Sequence, residues 1–146
     1  EHPSRRDRAN FLIFASLDSD GLSGKWEQLW ARKVAEAEFE VCCIPYFAYG
    51  VALGDIVRTA PALGKTYVVA GVAVNAGRRV LRLWLKGAIP DGRARLAEAI
   101  ERDALLAEWR TENLVAIDLP VGELPAALEA VVGDASALGM QVEWGK

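Results

Sequence analysis

Apolar and polar positions alternate with a period of two over most of the first half of the chain. In KWEQLWARK (25–33), Trp26, Gln28 and Trp30 fall on one side of the alternation and Glu27, Leu29 and Ala31 on the other. In AEFEVCCI (37–44), Phe39, Val41 and Cys43 stand against Glu38, Glu40 and Cys42. Period two is the repeat of a strand with one buried face. NFLIFASL (10–17), ending at the turn cluster DSDGLSG, reads as a strand before these. DIVRTA (55–60) and KTYVVAGVAV (65–74) follow them, with PALG as a tight turn between. Five short strands without a helix predict a small closed barrel, SH3-like or similar, because closure removes exposed edges.

The period changes after the NAGRR turn at 75–79. RVLRLWL (79–85) is a strand, and 91–103 places Ala94, Leu96, Ala97 and Ile100 at helical spacing after Pro90. Two strands, 105–111 and 113–120, precede a second helical stripe of Leu124, Ala127, Leu128, Val131 and Leu138 over 123–139, with Gly133 as its weak point. MQVEW (140–144) closes the chain as a strand. The order βαββαβ is that of a ferredoxin-like unit. The expected class is therefore α+β: a loose polar arm over 1–9, a barrel over 10–75, and a ferredoxin-like sandwich over 76–146 packed on it.

Alternation also sorts the faces of that sheet. Leu81, Leu83, Leu85, Val115, Ile117 and Leu119 face the helices. Arg82, Trp84, Glu108, Arg110, Leu114, Ala116 and Asp118 face the other way, where docking on the barrel, with an Arg82–Asp118 ion pair at the seam, is the plain expectation.

Composition narrows the functional classes. The residues are 52% hydrophobic, while twenty acidic against seventeen basic side chains leave a net charge of −3 and no general attraction for a phosphate backbone. Trp84 has no aromatic counterpart on LVAIDLP for stacking bases, and Glu108, Asp118 and Glu143 oppose phosphates, so nucleic acid is not the expected partner. No apolar run reaches the ~20 residues of a membrane span. EHPSRRDRAN lacks the apolar core of a secretory signal, so a cytoplasmic location is expected. Adjacent Cys42 and Cys43 are too close for an ordinary mutual disulfide and read as small core residues. With His2 the single histidine, no metal site or cofactor is expected.

The stretch IPYFAYGVALGDIVRTA (44–60) concentrates the candidate chemistry. Asp55, with Glu38 or Glu40, could form a carboxylate pair, but an aspartate after Leu-Gly more often caps a turn through backbone N–H groups. Arg78, Arg79 and Arg82, with Arg58 and Lys65 near them, form either a solvated turn or a site for an acidic surface or small anion. Dinucleotide, P-loop, zincin and nucleophile-elbow motifs are all missing. The expected function is thus non-enzymatic: binding another protein, or acting as an accessory or immunity-type partner, with tryptophans and arginines as anchors and a homodimer as the other partnering mode. The alternative is a small-molecule or anion binder, or a weak enzyme, with its site between barrel and sheet near Tyr46, Tyr49, Asp55, Arg82 and Trp84.

FEVCCIPYFAYGVALGDIVRT (39–59), the Gly-Arg turn into RVLRL, and LVAIDLP together resemble a bacterial family, the domain of unknown function 4265, over about 26–146. Its core pattern is matched by Pro45, Tyr46, Phe47, Gly50, Gly54, Asp55 and Val57. Where its members often carry Gly-His, this chain has Gly77-Arg78. The resemblance implies the domain layout and no catalytic residue.

Overall fold

The structure, a computed structural model, describes residues 3–146; His2 of the expected arm lies outside them. Strands β1 (Phe11–Ser16), β2 (Trp26–Ala35), β3 (Glu38–Val41), β4 (Ile56–Ala62) and β5 (Lys65–Val74) form a closed barrel in that order. Neighbours are antiparallel except at the closure, where β1 and β5 run parallel and meet at Phe14 and Val68. Of the alternating sets, the one with Leu29 and Ala31 and the one with Phe39, Val41 and Cys43 turn inward, where Ile13 and Val57 join them to fill the interior.

The second layer follows as β6 (Arg79–Trp84), α1 (Pro90–Arg102), β7 (Ala107–Thr111), β8 (Leu114–Leu119), α2 (Ala126–Gly133) and β9 (Gln141–Trp144). Its strands lie in the order β7-β8-β6-β9, which puts β6 inside the sheet. The six leucine, valine and isoleucine side chains assigned to the helix face pack there with Leu96, Ala99, Leu128 and Val131. The first helical stripe is narrower than expected, because Ala94 and Ala97 are exposed and Gly92, Leu96 and Ala99 are buried. The second helix stops at Gly133, and the remainder to Gly139 forms turns. Glycine lacks the side-chain contacts and backbone restriction that would carry a helix onward.

Barrel and sheet meet through a small apolar seam of Ile44, Ala52, Leu53, Val80 and Ala116, with Tyr46 against it. Residues 3–9, expected as loose, turn back over this junction. Ser4 donates through its amide and hydroxyl to Glu108 at 3.0 and 2.6 Å, Arg5 N donates to the Cys42 carbonyl, and Arg8 pairs with Glu40 at 2.9 Å. No helix among the described residues is long and apolar enough to cross a membrane.

Candidate functional site

The 44–55 stretch leaves β3 and returns as β4, and its path is held by charged side chains from both layers. Glu27 stands on the buried side of β2, and its carboxylate accepts the backbone N–H groups of Tyr46, Phe47 and Ala48 at 2.6, 3.0 and 2.8 Å. From the opposite side comes Arg82 on β6, 1% exposed. It donates to the carbonyls of Pro45 at 3.2 Å, Phe47 at 3.3 Å and Ala48, and to Glu143 at 3.0 Å. A carboxylate thus takes the donors of the segment and a guanidinium takes its acceptors. An irregular chain can be buried only when its polar backbone groups are satisfied in this way.

Further along, Gly50 and Gly54 have φ of +76° and +86°, the left-handed region that lets the backbone turn sharply. Asp55 is fully buried and caps, as expected. One oxygen accepts from Ala52 N at 2.9 Å, the other from Ala76 N at 2.8 Å, and Lys146 Nζ supplies the counter-charge at 2.5 Å. Neither Glu38 nor Glu40 joins it; Glu40 is engaged by Arg8 and Arg32. The carboxylate pair does not form.

The expected Arg82–Asp118 ion pair is also absent. Asp118 is held instead by Arg78, whose Nε lies 2.9 and 3.0 Å from the two carboxylate oxygens and whose Nη2 approaches to 2.5 Å. This fork raises the Arg78 pKa further above its ordinary value. Arg79 donates to the Gly122 carbonyl and lies over Trp144. Arg58 is exposed on β4, and Lys65 stacks over Phe14 and Trp26. The arginines are used singly rather than as a cluster.

What the stapled segment does present is a cleft beside the seam, of about 290 Å³. It is lined by the aromatic Tyr46, Phe47, Tyr49 and Trp84 together with Leu22, Asp20 and Glu143. Trp84 is 39% exposed and Tyr49 42%. Three expected site residues, Tyr46, Tyr49 and Trp84, therefore meet in one place, with Arg82 buried against Tyr49 as a structural group and Asp55 buried apart from the cleft at the return of the segment. The Tyr49 phenol is pushed up by its hydrogen bond to Glu143. Burial, then the nearby Glu108 carboxylate, pushes up that of Tyr46. Neither phenol is set up as an acid or base near neutral pH.

The thiols are equally quiet. Burial and then Glu40 move Cys42 up to about 11, while burial and then Glu108 raise Cys43. Both remain unpaired thiols. No group of three or more His, Cys, Asp or Glu among the described residues could hold a metal. Glu27, Glu108, Glu143, Asp20 and Phe47 were not among the expected site residues. Glu27 had a readable signal, a carboxylate on the apolar side of a strand alternation.

A family model described as a domain of unknown function (DUF4265) matches residues 27–143. No curated protein matches the chain. A solved structure, described as a novel crystal structure of a hypothetical protein from Neisseria gonorrhoeae, aligns with a TM-score of 0.74 at 18% identity, over 92% of each chain. At that identity the likeness concerns the fold.

Proposed function

Since the chain belongs to the family of the domain of unknown function 4265, whose description carries no activity, we propose from the site itself that it is a non-enzymatic protein-binding protein whose contact point is the seam cleft. One observation carries this reading. Four aromatic side chains converge on a cleft, while the buried charged groups that hold the segment behind it, Glu27 and Arg82, are committed to its backbone groups and to Glu143, and Asp55 further along to backbone amides and Lys146. Aromatic anchors on a fixed loop suit an interface, because ordering them costs little on binding. An enzyme of this size would need a base or nucleophile turned toward the cleft with a matched pKa, and the raised Tyr46 and Tyr49 phenols do not supply one.

Unpaired Cys42 and Cys43 support work in a reducing compartment such as the cytoplasm. The antiparallel order β7-β8-β6-β9 under two helices supports the ferredoxin-like reading of the second half, and the five-strand closure supports an SH3-like one of the first.

The test compares wild type with Trp84→Ala/Tyr49→Ala in partner capture from native lysate, beside a thermal-shift screen of metabolites and nucleotides. A protein captured saturably by wild type and lost with the double variant supports the reading. Capture indifferent to the variant contradicts it. So does a metabolite that stabilises the protein by the ~2.7 kcal/mol expected at a hundredfold excess over Kd, or a turnover abolished by Asp55→Asn with the fold intact.

A further inference from the structure

Building on the cleft as the binding site, we propose that its occupant is a guanidinium, the side chain of an arginine exposed on the partner protein. The charged residues that line the cleft, Asp20 and Glu143, are both acidic, and Glu143, although paired with the buried Arg82, has a 41% exposed side chain with acceptor capacity left. Behind it, Glu27 and Glu108 hold the amides of residues 46–48 and 44. An anion entering here would meet carboxylates, and the nearest buried guanidinium, Arg82, has its donors turned to three carbonyls and Glu143. That geometry favours a cation over an anion in this cleft.

The same patch already accommodates two of the chain's own guanidiniums. Arg82 lies 5.2 Å from the Tyr49 ring centre, and Arg110 lies 5.0 Å from that of Phe47. Trp84, the ring type that attracts cations best, keeps an exposed face on the cleft. A planar guanidinium can lie on that face while its edge donates to Asp20 or Glu143; an ammonium is a point charge, and a quaternary ammonium has no donor to give. A volume of about 290 Å³ lies near the lower end of ligand pockets, which suits one side chain inserted from a larger surface.

The experiment titrates the whole protein with a capped Ala-Arg-Ala peptide, with the same peptide carrying lysine or citrulline, with agmatine, and with tetramethylammonium. Binding is followed by calorimetry and by the Trp84 indole N–H resonance. The proposal expects the arginine peptide to shift that resonance saturably and to bind more tightly than the lysine peptide, with citrulline inert. Trp84→Ala should weaken it by about fivefold or more, and Asp20→Asn should weaken it while leaving the resonances of the barrel interior in place. No saturable shift, a citrulline peptide as good as arginine, or tetramethylammonium binding best would each overturn the guanidinium. Agmatine matching the peptide would overturn the protein-borne source. If a partner is captured through Trp84 and Tyr49 but arginine does not bind, this inference falls and the cleft reading stands.

Discussion

Replacing Arg82 with methionine keeps much of the side chain's length and removes every donor it gives to the 44–49 segment. Three carbonyls, those of Pro45, Phe47 and Ala48, then lose their partner at a position where Arg82 is 1% exposed. Removing a buried ion can be harmless when its partners regain water. Glu143 can, with its side chain 41% exposed, but the Pro45 and Ala48 carbonyls are buried and cannot. At about 1–3 kcal/mol for each unsatisfied buried group, and with some relaxation at Phe47, the loss should come to about 3–5 kcal/mol. That is a large share of the ~5–15 kcal/mol by which a domain is stable. Urea unfolding followed by tryptophan fluorescence measures it. Arg82→Lys should fall between the methionine variant and wild type, since one ammonium cannot reach three carbonyls in a fixed fork. Glu143→Gln keeps an acceptor for Arg82 but leaves the buried guanidinium without its carboxylate, and should cost less than Arg82→Met because the three carbonyl contacts remain. If Arg82→Met costs no more than Glu143→Gln, the carbonyls are not satisfied by Arg82 and the clamp is wrong.

Asp55→Ala strands the Ala52 and Ala76 amides and should cost about 2–4 kcal/mol in thermal or urea unfolding, with Asp55→Asn milder because one acceptor remains; a loss below about 1 kcal/mol would remove the capping role. Gly139 has φ of +75°, and a Cβ there would stand 2.1 Å from the Gly87 carbonyl oxygen, whereas Gly64, at +80°, has nothing within 4 Å. Gly139→Ala should therefore cost clearly more than the ~1–2 kcal/mol of left-handed strain expected at Gly64→Ala, and equal losses would contradict the close approach. The folded-state pKa of Cys42 is about 11, above the ~8.5 of a free thiol, and Cys43 is raised too. The unfolded chain therefore loses these protons first, so their contribution is full below about pH 8.5 and declines as pH rises toward 11. Urea midpoints between pH 8 and 10.5 should fall, less steeply in Cys42→Ala; an unchanged slope in that variant would refute the assignment.

Much of this architecture could be read from periodicity, because both layers bury one face. Leu81, Leu83 and Leu85 against Val115, Ile117 and Leu119 identify the helix side of the sheet without any knowledge of pairing. The partners of the charges on the other side could not be read in that way. In the sheet Arg82 lies opposite Ala116, and Asp118 opposite Val80. Whether the two charges meet depends on where the 44–49 segment and Arg78 place their own polar groups. That segment has no period, so the demand of its amides and carbonyls for Glu27 and Arg82 appears only once the chain is folded. The cleft was half legible for the same reason: Tyr46, Tyr49 and Trp84 stood out as aromatics, while Asp20 and Glu143 come from distant turns and edges. The 3–9 segment looked loose because its charges are ordinary surface residues until Glu108 and Glu40 are placed beside them.

The central claim is that charged groups from two layers hold residues 44–49 rigid as the floor of the cleft, and amide hydrogen exchange of the intact protein tests it most directly. The amides of Tyr46, Phe47 and Ala48 lie outside every strand, yet should exchange as slowly as the amides paired between β6 and β8, and should lose that protection in Glu27→Gln. Exchange of these three at the rate of an exposed loop in wild type would contradict the claim.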